Sequence, residues 1–318
     1  MSTAAQLIRD LDRPGFSFEL LPPLKGNSIK RVYRTIDALR EFNPLFINIT
    51  SHRDEVIFRD VEKGLFERKV TRKRPGTVAV AASIQHLYGI KVVPHIICSG
   101  FTRSETEYAL IDLNFLGIHD LLLLRGDKQQ RDRFYQPSEE GNAHAIDLQY
   151  QVNNLNKGVF LDNTQSEAFD TPFSYGVAGY PEKHEEAPNI ESDIYWLKKK
   201  VAAGAEYVVT QMFFDNDKYF DFVGRCRDAG ITVPIVPGLK PVTFLNQLTV
   251  LPKIFHVDMP EAFAAELRKC RTDEAAAQVG VEWTTMQANE LLAKDVHLIH
   301  FYTMMATQSV RQVAMSIY

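Results

Sequence analysis

A regular alternation of short apolar segments with longer segments of helical period limits the folds open to this chain. Strands buried on both faces of a parallel sheet appear as nearly continuous apolar runs. Eight such runs occur, and no Pro/Gly/Ser-rich linker separates them: FSFELL, LFINIT, KVVPHIIC, HDLLLL, SYGVAGY, EYVVTQMFF, VPIVPG and HLIHFY. Eight strand and helix units in 318 residues predict an α/β fold, a single (β/α)8 TIM barrel over residues 1–318, rather than a doubly wound sheet.

The helical segments differ in how clearly they are marked. After Tyr180, apolar residues share one face, acidic residues open the first turn, lysines close the last turn and Gly204 follows, which predicts a helix over residues 190–201. A helix capped by Ser28 is predicted after the first strand. The charged stretch after Thr50 is also expected to be helical, with the basic run Arg68–Arg74 as its solvated end.

Two departures from a minimal barrel are expected. Further helices precede the last strand, and the connection after the fourth strand, residues 128–171, is too long for an ordinary strand-to-helix loop. That enlarged connection contains a helix near residues 143–155 and a polar excursion. It is either a functional lid or oligomer contact, or a tolerated surface insertion.

Composition restricts the partners and the compartment. A formal charge of −4 with 24% charged residues gives no field that favours nucleic acid or an anionic membrane. No run approaches the roughly 18 apolar residues of a membrane span. Three widely spaced cysteines without zinc spacing fit reduced thiols. We therefore expect a cytoplasmic protein that acts on small molecules and binds neither nucleic acid nor membrane.

Polar side chains follow the predicted strands, where barrel enzymes carry their active sites. Glu19 is notable because a carboxylate in a buried apolar strand is costly unless it is paired or used. Each of these residues alone has a structural explanation, but together they favour a site: Glu19, Thr50, His95, Arg125, Gly126, Asp127, Tyr180, Gln211 and Tyr302.

Common cofactor motifs are missing from the sequence. No G-x-G-x-x-G follows a strand and no Walker loop is present, which argues against a Rossmann or P-loop nucleotide site. A metal-dependent barrel hydrolase that uses His95, His184 and Asp127 remains open, although these residues have no signature spacing.

Six motifs in order resemble the flavin-dependent methylenetetrahydrofolate reductases of bacterial type. The resemblance extends from Phe16 to Tyr302. Its motifs are FSFELLPP, PHIIC, LLLLRGD, GVAGYPEKHEEA with LKKKVAAGAEYVVTQMFFD, VPIVPGLKPV and HFYT.

The resemblance implies an activity as well as a fold. It implies a barrel that holds FAD without a Rossmann domain, accepts hydride from NADH or NADPH, and then reduces 5,10-methylenetetrahydrofolate to 5-methyltetrahydrofolate in ping-pong fashion, within one-carbon metabolism and methionine synthesis. It also implies a homo-oligomer. A relative that binds folate or flavin without catalysis is the remaining alternative, and the intact Glu19, Asp127 and Gln211 argue against it.

By the same resemblance, individual residues take family roles. Glu19 becomes the general acid that protonates N10 of the folate, with a pKa raised by desolvation. Asp127 stabilises the cationic iminium that follows ring opening, and Gln211 and Gln247 contact the folate. The FAD-binding positions are Thr50, His95, Arg125, Gly126, Asp127, Ala145, Tyr180, His184, Ala187, Asp193 and Lys200. Ala306 stands where these reductases commonly carry an arginine, so the folate tail must be held differently or more weakly.

Overall fold

The computed structural model describes residues 2–62, 64–128, 132–304 and 306–318. The strands, numbered in chain order, are β1 (Gly15–Leu20), β2 (Ile47–Ile49), β3 (Glu55–Glu62), β4 (Leu65–Thr71), β5 (Val92–Ile97), β6 (Asp120–Leu124), β7 (Ser174–Gly179), β8 (Tyr207–Thr210), β9 (Ile235–Val236), β10 (Gly238–Leu239) and β11 (Leu298–Tyr302). The α-helices are α1 (Ala4–Arg9), α2 (Lys30–Leu39), α3 (Thr77–Tyr88), α4 (Arg103–Phe115), α5 (Ala145–Asn156), α6 (Ile190–Ala202), α7 (Asn216–Asp228), α8 (Gln247–Phe255), α9 (Glu261–Lys269), α10 (Asp273–Ala293) and α11 (Thr307–Ile317).

Nine parallel strands form the main sheet in the order β10, β11, β1, β2, β5, β6, β7, β8, β9. The two ends of this order, β9 and β10, are parts of one chain segment interrupted at Pro237, which has no backbone N–H to give to a ladder. The segment pairs with β8 on one side and with β11 on the other. The sheet is therefore a barrel with eight strand positions, and the predicted fold is confirmed.

Side chains on the strands alternate between two environments. The outward residues of β1, Phe16, Phe18 and Leu20, belong to the apolar layer that the surrounding helices cover. The inward residues at the amino end of the barrel form a second apolar cluster, which α1 closes with Ala4 and Ala5. Nearer the carboxyl ends the interior is polar instead. Its buried members include Ser17, Asn48, His95, His300 and Lys240.

The charged stretch after β2 is not a helix, so that prediction was wrong. It forms an antiparallel hairpin of β3 and β4, and the basic run Arg68–Arg74 lies on β4 and the segment that follows it. The physical reason is its content of β-branched and aromatic residues, which favour strands, together with Gly64 at the turn with φ +84°. Nearly every residue of the hairpin is exposed.

The other predicted helices occur within a few residues of their expected bounds. The helix predicted over residues 190–201 is α6, and its cap is Asn189, whose side chain accepts the N–H of Ser192. Helix α2 begins at Lys30 and its N-cap is Ile29 rather than the predicted Ser28, although the Lys30 N–H donates to Ser28 Oγ at 3.2 Å. Within the part of the chain that the structure describes, no helix is both long enough and apolar enough to cross a bilayer.

The connection that follows β6 contains α5 and then an irregular excursion. Helix α5 is anchored to α6 because Gln149 Nε2 donates to the backbone oxygen of Lys200 at 2.8 Å. The excursion is held to α4, since Leu161 N–H donates to a carboxylate oxygen of Glu107 at 2.8 Å. Residues 129–131, at the start of the predicted enlarged connection, lie outside the described residues.

Candidate active site

Glu19 lies at the carboxyl end of β1, and its carboxyl group points into the polar upper part of the barrel. Its side chain is only 13% exposed. Burial raises the pKa of Glu19 from 4.5 to about 8, because a carboxylate loses hydration there without a compensating cation. The group is therefore mostly protonated at neutral pH and can donate a proton.

His95, on β5, lies beside this carboxyl. Its Nε2 lies 3.7 Å from Glu19 Oε2, a separation that would suit an ion pair. Burial, reinforced by His300 and His52, lowers the pKa of His95 to about 3, so the imidazole is neutral. Asn48 Nδ2 donates to His95 Nε2 at 3.3 Å. The contact between His95 and Glu19 is thus one between two uncharged groups and does not pull the proton from Glu19.

Tyr302, at the end of β11, forms another wall of this space. Its hydroxyl donates to the backbone oxygen of Thr210 at 2.6 Å. The ring lies against Gly238, where an added Cβ would be 2.4 Å from a ring carbon, so this position requires glycine. Burial, and then the negative charge available at Glu19, raises the pKa of Tyr302, which keeps its hydroxyl protonated.

Arg125, Gly126 and Asp127 follow β6. Arg125 donates to the carboxylate of Glu186, and its guanidinium lies 4.3 Å from the centroid of the Tyr135 ring. Gly126 turns the chain with φ +81°. The backbone oxygen of Asp127 accepts the hydroxyl of Ser99 at 2.9 Å. This hydrogen bond fixes the turn, and Asp127 follows the carboxyl end of β6 as an exposed residue.

The segment after β7 brings several predicted cofactor residues together. The Tyr180 and His184 rings meet edge to face with centroids 4.8 Å apart. The backbone N–H of His184 donates to Asp193 Oδ2 at 2.8 Å. Ala187 N–H donates to the His184 backbone oxygen at 3.0 Å. Lys200 Nζ donates to the Ala178 backbone oxygen at 3.0 Å.

Electrostatics link this segment to the Arg125–Asp127 turn. Burial raises the pKa of Tyr180, and the charges of Asp193, Arg125 and Asp127 act on the same hydroxyl. Burial also lowers the pKa of Lys200 to about 8, a change that Asp193 opposes. Charges at the exits of both β6 and β7 therefore act on the Tyr180 hydroxyl.

The four remaining predicted site residues lie at other strand exits or on helices. Thr50 Oγ1 donates to the Leu20 backbone oxygen at 3.3 Å, beside Glu19, whereas Ala145 is simply the first residue of α5. Gln211 Oε1 accepts its neighbour's N–H, that of Met212, at 2.9 Å. Gln247 Oε1 accepts the N–H of Thr243 at 2.7 Å, so its side chain folds back over the start of its own helix.

Two buried groups inside the barrel were not singled out from the sequence. Lys240, just after β10, is 2% exposed, donates to the Pro241 backbone oxygen at 3.1 Å and has a pKa lowered by burial to about 8. His300 accepts or donates a hydrogen bond with Ser17 Oγ at 3.0 Å. A lysine directly after an apolar strand end was the signal for Lys240, whereas His300 appeared as one polar residue within a strand.

The predicted metal-site residues do not form a ligand cluster. Among the residues that the structure describes, no group of three or more His, Cys, Asp or Glu side chains could hold a metal ion. His184 Nδ1 instead accepts the N–H of Glu186 at 3.1 Å.

Comparison with known proteins places this arrangement in a family. A family model described as methylenetetrahydrofolate reductase matches residues 5–317, which is nearly the whole chain. The chain belongs to the methylenetetrahydrofolate reductase family. The resemblance read from the six motifs is thereby confirmed.

Named relatives of the family are similar at modest identity. A 5,10-methylenetetrahydrofolate reductase of Salmonella typhimurium is 29% identical over 91% of this chain and 85% of its own length. Methylenetetrahydrofolate reductase (NADH) 1 of Arabidopsis thaliana is 28% identical over 98% of this chain and 49% of its own length. A probable methylenetetrahydrofolate reductase (NADPH) of Caenorhabditis elegans is 27% identical over 95% and 42%. The chain thus spans about half the length of the plant and animal relatives.

A solved structure shares the fold. It is a Clostridium thermocellum protein described as binding two copies of 5-methyl-5,6,7,8-tetrahydrofolic acid, and it matches with a TM-score of 0.59 at 13% identity. The match covers 98% of this chain and 97% of that one, so the fold is common to both over their full extent.

The reductase-family site has two electrostatic regions. Its centre contains the protonated Glu19 and the neutral His95. Towards the rim, the cationic side chains on the exits of β6 and β7 are paired with carboxylates, since Lys128 binds Glu185 at 3.0 Å and Arg125 binds Glu186.

Proposed function

We propose that the protein reduces 5,10-methylenetetrahydrofolate to 5-methyltetrahydrofolate with NADH or NADPH, using FAD, in ping-pong fashion. The single observation that carries the proposal is the buried carboxyl of Glu19 at the carboxyl end of β1, 3.7 Å from His95, in a chain of this family. The printed names of relatives include both NADH and NADPH enzymes, so either nucleotide fits the proposal.

The donor set on the β6 and β7 exits fits FAD. Arg125, His184 and Lys200 supply cationic or polar nitrogens, and Asp193 orients the backbone of His184. Gly126, Asp127, Ala145, Tyr180 and Ala187 complete this side, and Thr50 and His95 continue it on the neighbouring strands β2 and β5. When bound, FAD supplies hydride transfer between the nicotinamide and the folate.

Glu19 holds the proton that opens the folate ring. Its carboxyl would donate that proton to N10, which breaks the bond from N10 to the bridging carbon and leaves a cationic iminium at N5. Because His95 beside it is neutral, it neither removes the Glu19 proton at rest nor repels the cation afterwards.

Asp127 and Gln211 position and stabilise the reacting folate. The Asp127 carboxylate, held on the turn after Gly126, would stabilise the iminium by its negative charge. Gln211 follows β8, and its amide nitrogen would donate to the pterin while its oxygen stays on the Met212 N–H. Gln247 is a further folate contact in this proposal, and its side chain must leave the Thr243 N–H to make it.

Self-association is a further part of the proposal. The hairpin of β3 and β4 exposes Val61, Leu65 and Phe66 to between 61% and 67%. An isolated two-stranded hairpin is only marginally stable in water, and a second copy of the chain would cover its apolar side chains. Light scattering on the purified protein measures the number of chains directly.

The colour of the purified protein tests the proposal. We expect flavin absorbance that NADH or NADPH bleaches without oxygen and that 5,10-methylenetetrahydrofolate restores. A colourless protein that FAD cannot reconstitute would refute the flavin assignment. A bleached protein that the folate leaves unchanged would refute the assignment of substrate.

A further inference from the structure

Arg53 lies between the end of β2 and the start of the hairpin, and its half-buried side chain contacts two neighbouring strand exits. Its Nη1 donates to Ser99 Oγ, just after β5, at 3.0 Å. Its Nη2 donates to the backbone oxygen of Lys128, after β6, at 2.8 Å. One planar guanidinium therefore joins the carboxyl ends of β2, β5 and β6, which are adjacent in the barrel.

Ser99 connects Arg53 to the turn that carries Asp127. The Ser99 hydroxyl accepts from Arg53 and donates to the backbone oxygen of Asp127 at 2.9 Å. The Ser99 N–H donates to the backbone oxygen of Arg125, also at 2.9 Å. Lys128, which binds the other nitrogen of the guanidinium, directly follows Asp127. The backbone on both sides of the Asp127 side chain is therefore held, and Arg53 takes part in both restraints.

Two glycines allow these strand exits to approach each other closely. A Cβ added to Gly100 would lie 2.3 Å from Arg53 Cβ. A Cβ added to Gly126 would lie 2.8 Å from Ser99 Cβ. Both separations are well inside van der Waals contact, so a side chain at either position would push the exits apart. The contact of Arg53 with the turn is therefore built into the path of the backbone.

The acidic residues that follow Arg53 are engaged elsewhere. Asp54 pairs with Arg72 at 3.1 Å, and Glu55 pairs with Lys73. The antiparallel register of the hairpin brings these two basic residues to the acidic pair. The hairpin thus occupies the nearest carboxylates along the chain, and the Arg53 guanidinium binds the uncharged oxygens of the strand exits instead.

We propose that Arg53 is a positioning residue for Asp127. Through Ser99 and Lys128 it fixes the turn after β6, so that the Asp127 carboxylate lies where positive charge develops on the substrate. The part that concerns the substrate rests on the proposed function, whereas the hold of Arg53 on the turn does not. An arginine suits this task because its planar fork fixes the directions of both hydrogen bonds, and a misplacement of about 1 Å can cost about 10²-fold in rate.

The first test is hydrogen exchange of the Ser99 N–H, measured by mass spectrometry with electron-transfer fragmentation. It compares the wild type with Arg53→Gln and the matched control Arg227→Gln. The Arg227 guanidinium also binds a backbone oxygen, that of Ile231 at 2.6 Å, but it lies at the end of α7 that precedes β9, at the opposite end of the barrel. Arg53→Gln should speed the exchange about tenfold, because it removes hydrogen bonds from a charged donor, and Arg227→Gln should not change it.

Unchanged exchange in Arg53→Gln, or an equal increase in the control, would overturn the inference. Ser99→Ala removes the hydroxyl between Arg53 and Asp127 with a smaller change in volume. It should speed exchange at the same backbone position, so it decides the question where Arg53→Gln does not fold.

The second test is a double-mutant cycle of Arg53→Gln and Asp127→Asn, with the rate of flavin reoxidation by 5,10-methylenetetrahydrofolate as the readout. Arg53→Gln alone should slow reoxidation about tenfold, and it should cause no further slowing once Asp127 is asparagine. A merely structural role would slow the reaction by the same factor in both backgrounds, and that result would overturn the inference.

The two tests separate this inference from the proposed function. The exchange comparison needs neither flavin nor folate. A protein that FAD cannot reconstitute would refute the proposed function, and the exchange of the Ser99 N–H would still confirm or overturn the hold of Arg53 on the turn.

Discussion

Replacement of Glu19 by glutamine should stabilise the protein, and by an amount that grows with pH. In the unfolded chain Glu19 ionises near 4.5, whereas in the folded protein burial raises its pKa to about 8. Below pH 4.5 the group is protonated in both states and has no effect. Between these two pKa values only the unfolded state ionises, so the folded protein loses stability as pH rises.

The size of this effect follows from the shift in pKa. A change from 4.5 to about 8 corresponds to about 5 kcal/mol once the pH exceeds the folded value. At pH 7 the loss is about 3 kcal/mol. Glutamine keeps the shape of the protonated acid but does not ionise, so Glu19→Gln should recover these amounts. His95, whose pKa burial lowers from 6.5 to about 3, makes both proteins more stable as pH rises between those values, so its contribution cancels in the difference between them.

Urea unfolding of the wild type and Glu19→Gln at pH 5, 6, 7, 8 and 9 measures the difference directly. Other titrating groups cancel between the two proteins, so the change in free energy of unfolding isolates Glu19. We expect a difference that is small at pH 5 and rises to a plateau above pH 8. A difference that does not depend on pH, or a variant less stable than the wild type at pH 8, would show that Glu19 is ionised in the folded protein.

Two further predictions concern packing and assembly. Gly280→Ala on α10 should lower the free energy of unfolding by about 1–3 kcal/mol, because the added Cβ would lie 2.0 Å from the Val242 backbone oxygen. The control Gly224→Ala, at an exposed position of α7, should raise the free energy of unfolding by about 1 kcal/mol. Urea unfolding compares the two variants, and equal effects would refute the close approach at Gly280. Phe66→Lys on the hairpin should reduce the mass measured by light scattering towards that of one chain. The control Phe115→Lys, at an exposed position of α4, should leave the mass unchanged. If Phe66→Lys also left the mass unchanged, any interface between chains would lie elsewhere.

The barrel could be predicted because its signals are local. Each strand is a short apolar run, and α6 carries complementary charges at both ends. The hairpin was mistaken for a helix because it is rich in charged residues and its β-branched and aromatic residues follow no regular period. A hairpin exposed on both faces has no apolar face to reveal its period.

The candidate site could be predicted only in part. Strand ends located Glu19, His95 and Asp127, because the carboxyl ends of parallel strands meet at one end of a barrel. The neutral state of His95 depends on the simultaneous burial of groups from several strands, which no sequence window contains.

The most direct test of the central claim is the effect of Glu19→Gln on the two half-reactions, measured separately by stopped flow without oxygen. Our account predicts that NADH or NADPH reduces the flavin at an unchanged rate, while reoxidation by 5,10-methylenetetrahydrofolate slows by about 10²–10⁴-fold, the usual contribution of a general acid. Equal loss in both half-reactions would contradict the account and would make Glu19 a structural residue rather than the proton donor.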